Sequence, residues 1–335
     1  MRGRGLAERA LEIAEEYERA GLTLTVRQLY YQLVARGEIS NGDREYKRLV
    51  AATTDARMSG WFPPWLLEDR GRSVGETDAG VALLDVDDAR DSLKEQILES
   101  ARRHVYLSTW WAQGEIPWVW VEKDALSGVF EKPCKEWGVG LFACRGYPSV
   151  SSLWSWIKQV DGILDAHDEA IDYAGVLPGN VHIDDAINRV TILYFGDHDP
   201  DGLQIPITAL EQVNRLIDAH GNELHAEIGR VEITVERIGL NLDQIRKYDP
   251  PPFPAKQSSA RYDRYVEKTG LTDAWELDAL EPRVLASLAR TAIEATFDRV
   301  VFNDTRATLQ AARRAFVSKV QETGWFKSVL DQIVE

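Results

Sequence analysis

Only two cysteines, Cys134 and Cys144, occur in the 335 residues, and they form no C-x-x-C pair and no Cys/His cluster. That excludes a disulfide framework and suits a reducing compartment. No run of ~18 apolar residues occurs, so no membrane-spanning helix is expected. The start, MRGRGLAERALEIAEE, lacks an apolar h-region, so no signal peptide is expected and the location reads as cytoplasmic. Positive charge is outnumbered, 39 Lys/Arg against 54 Asp/Glu. The net charge is −15, which at first sight speaks against nucleic acid. Its distribution softens that reading. Residues 1–75 hold 12 Lys/Arg against 11 Asp/Glu, while residues 76–335 hold 27 against 43. The first part is about neutral, so a local basic face there stays open for DNA. Internal repeats and low-complexity tracts are absent.

What is present is globular: 44% of the residues are apolar, and the length is comfortable for two domains. Residues 6–20 read as a helix. Residues 25–37, TVRQLYYQLVARG, read as a second, with complete punctuation. Thr25 and Gln28 form a capping box, Leu24 and Leu29 a hydrophobic staple, and Gly37 a C-terminal stop. After the turn SNGD comes a third helix, about 44–58, carrying Arg44, Lys47, Arg48 and Arg57. WFPPWLLEDRGRSV then reads as two short strands with a turn at Arg70-Gly71. Helix, helix, basic helix and β-wing over residues 1–80 spell a winged helix-turn-helix; the plainer alternative is a generic small helical domain.

Residues 81–115 read as a connection, with a helix over 86–106. From 117 the texture changes. PWVWV (117–121), VGLFAC (139–144), VTILYF (190–195) and VEITVERI (231–238) read as strands. Residues 149–164 and 203–219 read as intervening helices, the second begun or broken near Pro206. The alternation predicts an α/β domain over 116–335 with a mostly parallel, Rossmann-like sheet covered on both faces. The proline-rich stretch 249–259 reads as a loop, and 282–300 and 304–330 as C-terminal helices.

Two of these strands end in acids. One gives Glu122; another gives the string Gly196-Asp197-His198-Asp199-Pro200-Asp201-Gly202. In a parallel sheet, functional groups gather beyond the carboxyl ends of strands, so these acids should meet at one edge. Converging carboxylates repel unless a divalent cation neutralises them, and oxygen ligands favour Mg²⁺ or Mn²⁺ over Zn²⁺. D-x-D-x-D-G also opens an EF-hand loop, but that loop needs Glu at its twelfth position, where Thr208 stands, and a preceding helix. A plainer reading keeps Asp197 and Asp199 as turn and helix caps. Asp201 fits a cap or a ligand equally, and Asp124 reads as a cap of its own helix.

The order of these motifs resembles the topoisomerase VI A subunit and the related meiotic double-strand-break transesterase. In that family a winged helix with an R-x-I-Y-Y type motif precedes a Toprim domain. Arg27-Gln28-Leu29-Tyr30-Tyr31 looks like the first motif. Glu122 with Phe130 downstream looks like the Toprim glutamate motif. Cys144-Arg145-Gly146-Tyr147-Pro148 looks like its L-R-G-x-P segment, and Asp197 to Gly202 like its D-x-D-P-x-G. The resemblance spans about residues 20–250, and is nearest to small stand-alone proteins of Topo Mini-A type. SVSSLW after Gly-Tyr-Pro departs from the pattern where a further basic residue would stand, and no ATPase domain is fused.

Periodicity separates the two tyrosines. Val26, Leu29, Tyr30, Leu33 and Val34 form one apolar stripe, which makes Tyr30 a core residue. Tyr31 lies ~100° away with Arg27 one turn before it, an interface aromatic or a residue free to meet a phosphate. The resemblance implies that Tyr31 attacks a DNA phosphodiester and leaves a 5′-phosphotyrosyl link. Arg27 would favour the phenolate, and Mg²⁺ would be held by Glu122, Asp197, Asp199 and Asp201. It implies a homodimer in which one chain's tyrosine meets the other chain's metal, a nucleoid-associated location, and a possible separate GHKL-type ATPase. Arg44, Lys47, Arg48, Arg57 and Arg145 are the expected contacts to double-stranded DNA. Two other functions compete: a Toprim nuclease of plasmid-defence type using metal-activated water, and a non-catalytic DNA-binding protein.

Overall fold

The computed structural model describes residues 3–68, 94–98, 109–110, 112–173, 187–224 and 226–324. The chain divides into two units. The first comprises residues 1–73, 117–159 and 189–296; the second comprises 74–116, 160–188 and 297–335.

Three helices open the first unit: α1 (Gly3–Arg19), α2 (Val26–Ala35) and α3 (Asp43–Met58). The start of α2 is fixed by its expected capping box. The Thr25 side chain accepts from the Gln28 backbone N–H at 3.2 Å, and the Gln28 side chain accepts from the Thr25 N–H at 2.8 Å. Gly37 ends the helix with a φ of 69°, a conformation glycine adopts without Cβ strain. Leu6, Ile13 and Tyr17 of α1, Leu29 and Leu33 of α2, and Leu49 of α3 form one buried cluster.

Of the expected pair of wing strands, only the first falls within the described residues, and it is short. Pro63 lies in the lead-in to a 3₁₀ turn and Pro64 begins it (Pro64–Leu66). Neither can donate to a ladder, so the strand cannot begin there. The turn leads instead into a two-residue strand, β2 (Leu67–Glu68), paired in parallel with β1 (Leu24–Thr25). The turn expected at Arg70-Gly71 lies outside the described residues, as does most of the connecting segment; residues 94–98 within it are helical.

The four expected strands form one parallel sheet: β3 (Glu115–Val121), β4 (Gly140–Ala143), β5 (Arg189–Phe195) and β6 (Glu232–Gly239), in the order β4-β3-β5-β6. The apolar run of β5 is buried along Val190 to Phe195, as a central parallel strand requires. Helices α4 (Ser127–Trp137), α5 (Val150–Tyr173) and α6 (Ile205–His220) follow β3, β4 and β5. Packing leaves little slack: a Cβ on Gly140 would stand 2.3 Å from the Trp118 ring, and Trp156 meets Trp118 and Trp120 edge to face. The chain is thus α/β with a four-stranded parallel sheet, compatible with a Rossmann-like fold. Strand order reverses between β3 and β5, so their carboxyl ends flank a crevice where ligands of such sheets bind.

The region after β6 is richer than its sequence reading. Helix α7 (Leu242–Tyr248) starts at an Asn241/Gln244 capping box. Within the proline-rich stretch, β7 (Phe253–Pro254) pairs antiparallel with β8 (Asp273–Ala274), on either side of α8 (Tyr262–Thr269). The C-terminal helices are α9 (Pro282–Glu294) and, in the second unit, α10 (Arg299–Glu322). The break between them comes earlier than expected because Asp298 caps α10, accepting from the Val300 and Val301 N–H groups at 2.8 and 3.1 Å. In the second unit the Trp110 ring meets Phe297 and Phe302 edge-on. No described helix is long and apolar enough to cross a membrane. Both cysteines are buried and unpaired.

Candidate functional site

The acids of β3 and β5 meet at the crevice. The Glu122 N–H donates to the Phe195 carbonyl at 2.8 Å, holding the two strand ends together. Its Oε2 accepts from the Asp197 N–H at 2.9 Å and the Tyr194 hydroxyl at 3.3 Å. Two glycines permit this approach. A Cβ on Gly196 would lie 2.6 Å from Glu122 Oε2, and one on Gly202 would lie 2.3 Å from the Asp197 carbonyl oxygen. Asp199 Oδ1 accepts from the Asp201 and Gly202 N–H groups at 3.0 and 2.6 Å, closing the loop on itself. Asp201 pairs with Arg261 at 2.9 Å. Helix α6 starts at Gln204, with no side-chain cap. Asp199 is therefore a turn-former and Asp201 an ion-pair partner, and neither caps the helix.

A buried arginine that the sequence reading missed fastens the same loop. Arg237 on β6 donates to the carbonyls of Gly196, Asp197 and Gly202 at 2.9, 2.6 and 2.9 Å. His198 is buried, its Nδ1 3.0 Å from the Leu240 carbonyl oxygen and its ring near Tyr265 and Trp275. Burial holds its pKa below the ordinary value, so it packs as a neutral ring.

Lys123 is the hub. Its Nζ stands 2.8 Å from Asp197 Oδ2, 2.9 Å from Asp278 Oδ1 and 3.3 Å from Glu276 Oε2. Three carboxylates thus face one ammonium, with Arg27 as the second cation: its Nε is 3.1 Å from Asp278 Oδ2 and its guanidinium pairs with Glu276. The titrations reflect this crowding. Burial pulls the Lys123 ammonium down, but Asp278, Asp197 and Glu276 outweigh it and hold the proton firmly. Burial, then Asp197, push Glu122 up to about 7. Burial pushes Asp278 up to about 6 against the pull of Lys123. Asp197 is raised by burial too. Burial also acts to raise Glu276, yet Lys123 and Arg27 override it and hold that carboxyl at about 2.

Tyr31 joins the network. Its hydroxyl donates to Glu276 Oε2 at 3.1 Å, and the Arg27 guanidinium lies 6.0 Å from its ring centre. Tyr30 is held differently, donating to Asn41 Oδ1 at 2.8 Å and accepting from the Gly42 N–H at 2.6 Å. The anchoring role expected of Tyr30 agrees with these bonds. The expectation that Tyr31 faces freely outward does not: Tyr30 is 4% exposed and Tyr31 7%. The periodicity sees one apolar stripe, but segment 275–281 covers the second face of α2 with polar contacts. Burial, Glu276 and Asp278 push the Tyr31 phenol up, while Arg27 pulls it down. A cavity of about 400 Å³, walled by Tyr30, Tyr31, Tyr46, Phe253, Arg27 and Glu276, opens beside the phenol.

Glu276 and Asp278 come from WELDAL, a string that carried no motif in the sequence reading. Its one cue is alternation of acids with apolar residues; Leu277 and Ala279 are buried while the acids turn to Lys123 and Arg27. Asp124, expected as a cap, instead accepts from Arg145 at 2.8 Å and caps no helix. Arg145 is otherwise exposed, in a left-handed conformation with φ of 56°. Of the basic residues of α3, Arg44 and Lys47 are exposed. Arg48 is paired with Glu45 at 2.6 Å, and the Arg57 Nε donates to the Thr53 carbonyl at 3.2 Å.

Among the described residues, no three Asp, Glu, His or Cys side chains stand grouped as a ready-made cation site. Glu122 and Asp197 offer the hard oxygen donors that a divalent cation takes, but Lys123 occupies Asp197 Oδ2 at 2.8 Å and Glu122 Oε2 already accepts two hydrogen bonds. Both are oxygen ligands, buried and pushed toward protonation, with Asp199 close enough to raise Glu122 further; a dication relieves that cost. No protein-family model matches the chain, and no curated protein matches it.

Proposed function

We propose that the protein is a DNA-cleaving transesterase resembling the topoisomerase VI A subunit, with α1–α3 and the β1–β2 pair serving as a winged helix and the parallel sheet as a Toprim domain. The observation that carries the proposal is the link between Tyr31 and the switch-point acids: Tyr31 to Glu276, Glu276 to Lys123, Lys123 to Asp197. It runs within one chain, where the resemblance implies a tyrosine that meets the partner chain's metal. Phenol attack on phosphorus needs a cation beside the hydroxyl, and Arg27 supplies it. The cavity beside Tyr31 is the route by which a phosphodiester reaches the buried hydroxyl, and Arg44 and Lys47 on α3 hold the flanking phosphates.

Glu122, Asp197 and Asp199 would hold Mg²⁺ or Mn²⁺, with Asp201 tied to Arg261 at the loop's outer end. When bound, such an ion neutralises charge on the transferring phosphoryl group and its leaving oxygen. Two copies, one for each strand, would produce a double-strand break, and a separate GHKL-type ATPase would be required for strand passage.

The test uses supercoiled plasmid with Mg²⁺ or Mn²⁺, stopped with detergent. The expected product is broken DNA with protein attached at the 5′ end, and Tyr31→Phe should abolish the attachment. Cutting undiminished in Tyr31→Phe, with free ends, would instead identify a hydrolytic nuclease.

A further inference from the structure

We infer that Glu276 is the catalytic base that receives the phenolic proton of Tyr31. This rests on the transesterase reading and names a residue that the motif resemblance does not include. Three observations carry it. The Tyr31 hydroxyl donates to Glu276 Oε2 at 3.1 Å, within the reach a base needs. The carboxylate is oriented by further groups: Arg27 Nε donates to the same oxygen at 2.9 Å, and Lys123 Nζ stands 3.3 Å from it. Nucleophile, base and orienting groups are the arrangement by which a weak nucleophile is activated. Finally, Glu276 and Tyr31 both wall the cavity, so an entering phosphodiester meets nucleophile and base together.

The same geometry makes the base responsive to substrate. In the free chain Lys123 and Arg27 both lean on Glu276, which keeps it ionised. A phosphate entering the cavity competes for Arg27 and turns it from the carboxylate toward the phosphorus, where it stands beside the phenolate that forms. Glu276 keeps Lys123 and gains basicity as the nucleophile gains its cation. In the step itself the Tyr31 O–H bond breaks and its proton passes to Glu276. The phenolate oxygen bonds to phosphorus, the bond from phosphorus to the 3′ oxygen breaks, and that oxygen takes a proton from water. Glu276 then returns its proton to solvent. No oxidant or reductant is involved.

The experiment measures the rate of covalent attachment to supercoiled plasmid with Mg²⁺ at saturating protein. Glu276→Gln keeps the side chain's shape and should slow attachment about 10²- to 10⁴-fold. Replacing Tyr31 with trifluorotyrosine, a stronger acid that needs less help, should recover most of that loss in the Glu276→Gln background. A lost packing contact would not be recovered in this way. Attachment at the wild-type rate in Glu276→Gln overturns the inference, and so does a loss that trifluorotyrosine fails to reduce. Should the Gln variant melt below the assay temperature, Glu276→Asp carries the same comparison, since it keeps the charge and withdraws the oxygen from the phenol. Tyr31→Phe separates the two levels. If it still forms the covalent link, the transesterase reading itself falls; if it does not, only the role of Glu276 is at stake.

Discussion

Two acidic segments face Lys123, and they are built in opposite ways. The loop 196–202 joins β5 to α6, and two of its acids are occupied largely by backbone: Asp197 Oδ1 receives the Leu277 N–H, and Asp199 receives those of Asp201 and Gly202. Gly196 and Gly202 leave no room for a Cβ, and Arg237 fastens the loop's carbonyls. Segment 275–281 is a bridge and a 3₁₀ turn, Leu277–Ala279, and its acids hold side-chain cations, Arg27 and Lys123. The first is fastened by backbone; the second is fastened mainly by side-chain cations. Asp197 ties the two, with its Oδ1 on the Leu277 N–H at 2.8 Å and its Oδ2 on Lys123.

The largest effect should come from removing the cation they share. Lys123→Met leaves buried carboxylates uncompensated and should cost about 3–5 kcal/mol in urea unfolding. Adding Asp278→Asn should recover part of it; strict additivity of the two changes would break the picture of one coupled cluster. Next comes the loop 196–202. Gly202→Ala should lower stability by about 1–3 kcal/mol, because its Cβ would overlap the Asp197 carbonyl, whereas Gly270→Ala, with open space around it but φ of 71°, tests how much of any loss is backbone strain alone.

The carboxyl groups around Lys123 should also differ in pH response, by at most about 1.4 kcal/mol per pH unit for each group. In metal-free protein Glu122 and Asp278 are raised to about 7 and about 6. The folded state there keeps protons that the unfolded chain has released, so their contribution to stability falls as pH rises from about 4 toward 7. Glu276, held at about 2, behaves oppositely: its contribution is present above the ordinary glutamate value and is lost as pH falls toward 2. Denaturant midpoints across pH should show Glu122→Gln flattening the upper slope and Glu276→Gln the lower one. The smallest effect lies on α3. Arg44→Ala and Lys47→Ala should each weaken DNA binding uniformly across sequences and reduce the salt slope by about 1, while Arg48→Ala, already paired with Glu45, should do less.

Much of the frame was legible in the chain. The capping box at Thr25, the four strands and the acids at two strand ends come from local patterns that the structure reproduces. The first expected wing strand is shortened to Leu67–Glu68 because two prolines remove donors where a ladder would begin, and the short β7–β8 pair was hidden in a stretch too proline-rich to read as strand. Glu276 and Asp278 were invisible for another reason. Their partners, Lys123 and Arg27, lie more than 150 residues earlier, and WELDAL has no period that distinguishes a surface turn from the cover of a tyrosine.

By itself the sequence determined the start of α2, the parallel sheet and the convergence of Glu122 with the 197–202 loop, because caps, strand burial and switch-point topology depend on residues close in the chain or on strand order. It also set Tyr30 as the anchor. Only the tertiary structure decided that Tyr31 is covered, what its hydroxyl touches, and which carboxylates share Lys123. Those outcomes depend on distant segments packing against one face of α2, and the energy of a buried charge cluster is fixed by the whole set of neighbours at once.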